Sequence, residues 1–218
     1  MVIEIKLPKQ DLERVKKHTI KHSKEQALEP EEEKEMFKAI ETLNKNIKSE
    51  TKLRYQILVH LLADSGLRIS EAIQVRKSWF KESTDGLILV IPDKDRDLRN
   101  MKRDWTPKSK AGAREVIFLN QAIAEKIKTF YTYNVKGLGF SRQRAFQVIQ
   151  KLGSAINKPL LHPHALRSTY ANKLVYAGVN DSTLCYYMGW SDLKTAKHYV
   201  KTSKVAAKKD LMDKMKEQ

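Results

Sequence analysis

One cysteine, Cys185, stands among 218 residues. A lone thiol closes no internal disulfide, so the fold must rest on its core, and the usage fits a reducing compartment, hence the cytoplasm. No apolar run approaches the ~18 residues that span a bilayer, and no secretory leader precedes the fold, so no membrane role is expected. Eight glycines and six prolines are scattered, without a repeat or a low-complexity domain. Acids are scarce relative to bases: 26 Asp and Glu against 42 Lys and Arg, a formal charge of +16. That excess suits a polyanionic partner, of which nucleic acid is the commonest, although a solvated lysine-rich surface adapted to high temperature gives the same balance. High Lys and Glu with one Cys also suggests a thermophilic archaeal source, such as an archaeal virus or plasmid. Metal-ligand spacing is missing too. His162, His164 and His198 are present, but no cysteine pair or cluster of acids accompanies them, and neither a metal nor another cofactor is expected.

The hydrophobic pattern predicts an α+β fold, mainly α-helical, with a small antiparallel β-sheet on one side. Residues 1–29 are polar and charged, with Val2, Ile3, Ile5 and Leu7 strand-like before Pro8, and read as a linker or arm. Pro30 followed by Glu31, Glu32 and Glu33 marks a helix start, since proline lacks an N–H the first turn would leave unbonded and acids suit the positive end of the dipole. Met36, Phe37, Ile40 and Leu43 follow at helical spacing. Leu53, Ile57, Leu58, Leu61 and Leu62 form a second stripe that ends at Gly66, and Ile69, Ala72 and Ile73 a third, over 68–77.

The period then changes. Residues 87–91, Leu-Ile-Leu-Val-Ile, read as a strand between Gly86 and Pro92, with 115–119 a second strand. The connection between them carries Lys94, Arg96, Arg99, Lys102, Arg103, Lys108 and Lys110 beside Asp93, Asp95, Asp97 and Asp104. Trp105 and Thr106 suggest a middle strand and Ala111-Gly112 a turn. Helices are predicted over 121–132, 141–152, 164–177, 181–187 and 203–216, punctuated by Gly153, Pro159, Gly178 and Gly189. The expected organisation is an arm over 1–29, one folded domain over 30–202 and a charged C-terminal tail or helix over 203–218.

Four separated segments carry candidate chemistry. In Gly66-Leu67-Arg68-Ile69-Ser70-Glu71-Ala72, Arg68 opens a helix and Glu71 follows at i+3, a spacing that a surface ion pair would also produce. In His162-Pro163-His164-Ala165-Leu166-Arg167, Pro163 suits the first helical position and puts His164 and Arg167 near a helix N-terminus, where free N–H groups attract phosphate. Met188-Gly189-Trp190 and His198-Tyr199 complete the set, Tyr199 standing nine residues after Trp190. Each segment alone is as readily structural, and Tyr170, Tyr176, Tyr186 and Tyr187 lie near enough that a tyrosine by itself selects nothing.

The ordered set resembles the tyrosine recombinase (phage-type integrase) family, over about residues 30–200. The resemblance implies that Tyr199 is the nucleophile, that Arg68 and Arg167 hold the scissile phosphate, and that His164 is the general base. Trp190 falls where many members have His and some have Trp, and Glu71 where an acid supports the first arginine. The family's lysine lies in a β-hairpin. Lys108 is favoured because Lys-Ser-Lys-Ala-Gly-Ala-Arg resembles the lysine-bearing hairpin, with Lys110 the alternative.

Those residue types suit the reaction. Two guanidiniums place paired N–H donors on phosphate oxygens that gain charge during attack. Indole offers one N–H and shuttles no proton. A phenol of reference pKa ~10 is a weak nucleophile that neighbouring cations activate. The implied activity is site-specific cutting and rejoining of double-stranded DNA through a 3′-phosphotyrosyl bond, without metal or ATP, by a homotetramer on DNA that is monomeric in free solution. Residues 203–218 are the candidate segment for exchange between protomers. Members usually carry an N-terminal DNA-binding domain, for which residues 1–29 are too short, so the resemblance leaves either a longer natural integrase or a minimal form. The alternatives carried forward are a DNA-binding accessory protein of this fold and a type IB topoisomerase-like enzyme.

Overall fold

The computed structural model describes residues 26–200, apart from residues 44–46 and 85. The expected tail over 203–218 and all but the last four residues of the expected arm lie outside that description. Eight α-helices are described: α1 (Pro30–Thr42), α2 (Ser49–Ala63), the single turn α3 (Ile69–Ala72), α4 (Gln121–Tyr133), α5 (Arg142–Ala155), α6 (Pro163–Tyr176), α7 (Asp181–Met188) and α8 (Leu193–Val200). Between α3 and α4 lie five strands: β1 (Phe80–Ser83), β2 (Gly86–Ile91), β3 (Asp95–Asp97), β4 (Asn100–Trp105) and β5 (Arg114–Ile117). The mainly helical α+β expectation holds.

Helix α1 starts at Pro30 as its sequence requires, and the Glu32 carboxylate accepts from the Glu29 backbone N–H at 2.8 Å. Met36 and Ile40 are fully buried, one turn apart on its inner face. Helices α2 and α6 are buried around much of their circumference, α6 with Arg167, Ser168 and Thr169 among its buried residues, which marks helices surrounded by other elements rather than surface helices with one inner stripe. Tyr55, Ile57, Leu58, Val59, Leu61, Leu62 and Ala63 are all buried in α2, whereas Leu53, expected in the same stripe, is exposed. The two helices pack on each other, and the Leu28 N–H donates to Thr169 Oγ1 of α6 at 2.8 Å, fastening the start of the described chain.

The sheet region is more elaborate than expected. β2 is central in a three-stranded antiparallel sheet of order β1-β2-β5, with Phe80 opposite Leu89 and Leu89 opposite Val116. The partner of β2 runs from Arg114 rather than Glu115, and β1 was not foreseen. The charged connection is a separate hairpin, β3–β4, in which Trp105 belongs to β4 and Thr106 does not. The Gln74 side chain fastens that hairpin, donating to Asp97 Oδ1 at 3.0 Å and accepting from the Leu98 N–H at 2.9 Å. This also accounts for the shortness of α3, where a helix over 68–77 was expected. The chain leaves the helix after one turn because Gln74 and Val75 are drawn into the core, and a 3-10 turn at Lys77–Trp79 leads into β1.

Helix α8 was not anticipated either. Of its side chains, Ala196 and Tyr199 are buried, in a second core cluster formed with Tyr170, Ala171, Leu174, Val175, Leu184, Cys185 and Met188. Eight residues that are mostly polar on three sides are too short to be helical by propensity, so packing on α6 and α7 holds them. Helix α6 serves both clusters, giving Ala165 and Leu166 to the main core and Tyr170 and Ala171 to this one.

Gly66 makes the approach of α2 to α6 possible. Its φ is +62°, and a Cβ there would lie 2.3 Å from Tyr170 Cδ1. Gly66→Ala therefore combines a left-handed backbone with a ring clash, and is expected to destabilise the fold on the order of 2–4 kcal/mol. Urea unfolding reads this directly, and a loss within a few tenths of wild type would refute the proposed fit.

Candidate active site

The site lies where α3, β5, the N-terminal half of α6 and the end of α7 meet, and a buried carboxylate organises it. Glu71 has no exposed surface. Arg68 is the N-terminal cap of α3, and its Nη1 donates to Glu71 Oε1 at 2.8 Å while its backbone N–H donates to Oε2 at 2.8 Å. Arg114, at the start of β5, approaches the same carboxylate edge-on, with Nη2 to Oε2 at 3.1 Å and Nη1 to Oε1 at 3.2 Å. Arg167 Nη1 is 3.9 Å from Oε2. Burial alone would raise the pKa of Glu71, but the charges of Arg114, Arg167 and Arg68 outweigh it and bring the pKa down to about 2. Three cations against one anion leave a surplus of two positive charges around the group.

Backbone carbonyls fix the other ends of these guanidiniums. Arg68 Nη2 donates to the Gly189 carbonyl at 2.6 Å, and Arg167 donates to the carbonyls of Gly66 and Met188. Gly189 caps α7 in a left-handed conformation, φ +58°, and a Cβ there would lie 2.8 Å from the Ala111 carbonyl and 2.9 Å from Arg114 Nη1. Arg114 Nε donates to the Tyr187 carbonyl at 2.8 Å, so the end of α7 is tied to all three arginines.

Of the residues expected from the sequence, Arg68, Glu71 and Arg167 converge on this cluster. His164 lies one turn before Arg167, on an exposed part of the rim. Its pKa is lowered to about 4, first because packed surroundings disfavour its charged form, and then by the positive charge of Arg167, His162, Arg68 and Lys108. Lys108 follows β4 in the loop that leads over Arg68, and its charge bears on His164. Lys110 opens the 3-10 turn Lys110–Gly112 and is exposed. Trp190 is half-buried and stacks on Tyr199, ring centroids 5.2 Å apart and planes at 27°.

Tyr199 is 5% exposed, and its hydroxyl is 2.7 Å from Ser168 Oγ. Burial raises its pKa, while Ser168 and the Arg167 charge oppose the rise. A position remote from both arginines would have removed the basis for grouping these residues, and the structure places Tyr199 beside the residue that follows Arg167. His198 is exposed on the same helix. Among the described residues no three His, Cys, Asp or Glu side chains group as a metal site.

Arg114 and Ser168 were missed as site residues. Arg114 had a signal: in Arg-Glu-Val-Ile it shares the inward strand face with Val116, and an arginine there needs a buried anion. Ser168 had none beyond its place after Arg167.

The chain matches the phage integrase family over residues 26–205. It belongs to that family, and its fold is that of tyrosine recombinase catalytic domains. It is 26% identical over 162 residues to a probable integrase/recombinase of Acholeplasma phage L2, covering 74% of this chain and 54% of the phage protein. It is 25% identical over 169 residues to the tyrosine recombinase XerD of Neisseria meningitidis serogroup B, covering 70% and 52%. The chain thus spans about half the length of these curated relatives. The XerA recombinase structure aligns with TM-score 0.58 at 18% identity, covering 86% of this chain and 62% of that one. The Tn1549 transposon integrase bound to transposon right-end DNA aligns with TM-score 0.60 at 18% identity, covering 86% and 65%. The archaeal source suggested by composition finds no support, since these curated relatives are from a phage and a bacterium. Among the described residues no helix is long and apolar enough to cross a membrane.

Glu71→Gln removes the one negative charge among three guanidiniums and is expected to cost about 3–5 kcal/mol of stability. Because folding depresses the Glu71 pKa, its contribution is complete above the unfolded value of 4.5 and is lost as pH falls towards about 2. The gap between wild type and variant should therefore be flat above pH ~5 and narrow below it, as read by urea unfolding across pH. A gap that widens in acid would contradict the ion-pair assignment. In the free protein the His164 ring should remain neutral at pH values where an ordinary histidine, pKa ~6.5, is half charged. Imidazole NMR titration checks this, and a midpoint near 6.5 would overturn it.

Proposed function

We propose that the chain is the catalytic part of a site-specific DNA recombinase that cleaves and rejoins double-stranded DNA through Tyr199, without metal or cofactor. The observation that carries this reading is the meeting of Arg68, His164, Arg167 and Tyr199 from three separate stretches of sequence around one cationic cluster. Membership in the phage integrase family supports it.

In this reading Arg68 and Arg167 bind the nonbridging oxygens of one phosphodiester. Two donors of Arg68 hold Glu71 and Gly189, and a guanidinium carries five N–H groups, so capacity remains for phosphate. The Tyr199 oxygen attacks phosphorus as its proton passes to His164. The P–O5′ bond breaks, and Lys108 gives the leaving oxygen its proton. A 3′-phosphotyrosyl ester results, and attack by a 5′ hydroxyl of another strand reverses the steps. Lys108 is preferred to Lys110 because its charge is felt at His164. His164 is neutral in the free protein and so has a ring nitrogen able to accept, and the negative charge of a bound phosphate would raise its basicity towards the operating pH. The Trp190 indole covers the Tyr199 ring, and its one N–H donates without accepting, so it shapes the site rather than titrating in it.

The Tyr199 hydroxyl rests on Ser168 of its own protomer, which favours cleavage within one protomer over donation to a neighbour's site. Recombination cuts four strands, so four protomers are proposed on paired duplexes. DNA is the proposed partner on the strength of the +16 charge and the cationic cluster.

A nicked suicide duplex tests the reading. Wild type should form a covalent adduct on a denaturing gel, and Tyr199→Phe should form none while binding DNA within a few-fold of wild type. Binding without any adduct from wild type would favour an accessory DNA-binding role. Relaxation of supercoiled plasmid at no defined site would favour topoisomerase-like activity.

A further inference from the structure

We infer that Ser168 is a positioning residue for the Tyr199 nucleophile, holding its hydroxyl beside Arg167 and turning its single hydrogen onto the Tyr199 oxygen as the tyrosine proton leaves. The inference rests on the reading of Tyr199 as nucleophile and adds a residue to that site.

Either oxygen of the pair can donate, and the second acceptor beside Ser168 favours one resting order. Ser168 Oγ lies 3.1 Å from the carbonyl of His164 and 2.7 Å from the Tyr199 hydroxyl oxygen. A carbonyl only accepts, and a serine carries one hydroxyl hydrogen. With that hydrogen on the His164 carbonyl, Ser168 Oγ accepts, and the Tyr199 O–H is the donor. The resting order runs from Tyr199 O–H to Ser168 Oγ, and from Ser168 O–H to the His164 carbonyl. Ser168 is 2% exposed, so water does not readily replace it in this arrangement.

Ionisation reverses one link. A phenolate only accepts, so the Ser168 hydrogen gains most by rotating about its C–O bond to the negative oxygen. The bond it forms is charge-assisted and stronger than the one it leaves. No bond is made or broken at Ser168, and the tyrosine proton goes to the base assigned above. This assistance matters because Tyr199 is buried with Trp190 stacked on its ring, an environment that by itself disfavours the phenolate. The charged group that bears on Tyr199 is Arg167 on α6. Placement follows from the same contact. Ser168 is the residue after Arg167, so the nucleophile is fixed one peptide from a proposed phosphate ligand. The link crosses from α6 to α8, whose eight residues are held by packing.

Ser168→Ala and Ser168→Thr, compared on the nicked suicide duplex in single turnover, test the inference. Ser168→Ala should bind DNA within a few-fold of wild type and cleave about 10- to 100-fold more slowly, the loss of a hydrogen bond to a charged oxygen. Ser168→Thr, which keeps the hydroxyl, should recover most of that loss. In free protein carrying 13Cζ-tyrosine, with the resonance assigned through Tyr199→Phe, Ser168→Ala should move Tyr199 ionisation to higher pH. Wild-type cleavage by Ser168→Ala, or an unmoved Tyr199 titration, would overturn the role. If Ser168→Ala does not fold, Ser168→Thr decides: folding with cleavage near wild type supports the hydroxyl, and a defect as deep as that of Tyr199→Phe refutes it. Should wild type form no adduct, the nucleophile reading itself fails, and the titration in free protein still reports on the Ser168 contact.

Discussion

The carboxylate of Glu71 is the interaction on which the site depends. It is buried, and buried charge is tolerable only when paired and hydrogen-bonded. Here the partners come from three stretches distant in sequence: the cap of α3, the first residue of β5 and the first turns of α6. One acid therefore sets the relative positions of the central helices and the sheet. Without it, three guanidiniums in a confined space would repel one another. Arg114 is the most buried of the three, with 1% of its side chain exposed against 15% for Arg68. That ordering separates their tasks. Arg114 directs its donors at Glu71, Gly112 and Tyr187, whereas Arg68 stands nearer the surface where a phosphate would arrive.

The glycines at the ends of α2 and α7 belong to the same design. Gly66 and Gly189 both take left-handed backbone conformations, and each turns a carbonyl towards an arginine of the cluster. A side chain at Gly66 would strike Tyr170, and one at Gly189 would strike Arg114. The motifs Gly-Leu-Arg and Met-Gly-Trp thus place glycine next to or near Arg68 and Trp190 for a geometric reason. The helix must end abruptly, and the carbonyl at the turn must face inward.

Much of this was readable before the structure, and the limits are instructive. Arg68, Glu71, His164 and Arg167 stood out because each sits in a short motif at or near the start of a helix, whereas Tyr199 stood out only through the ordered set that resembles the family. The main helices were legible from periodicity, and their ends from Pro30, Gly66 and Gly189. Arg114 escaped because its partner lies 43 residues away, a separation no local pattern records. Ser168 escaped for the same reason, its contact being 31 residues distant. Helix α8 has too few apolar residues to declare itself, and α3 stops early because Gln74 is claimed by the β3–β4 hairpin. In each case tertiary contact decided what local propensity left open.

The charge count gives the arrangement its chemical sense. A tyrosine phenolate and a phosphodiester bring two negative charges together, and the cluster around Glu71 carries a surplus of two positive ones. An unpaired site with three free guanidiniums would bind any anion tightly and would favour the ground state as much as the transition state. Glu71 cancels one charge and orients the rest, so the remaining field is matched to a pair of anions rather than to one. Burying the proposed nucleophile sharpens this. While the phosphate is absent, Tyr199 keeps its proton because its surroundings disfavour the phenolate. In the proposed reading, charge on that oxygen becomes favourable only as it moves towards a phosphorus held by Arg68 and Arg167. Electrostatic stabilisation would thereby be concentrated in the reacting arrangement, the condition that separates catalysis from mere anion binding.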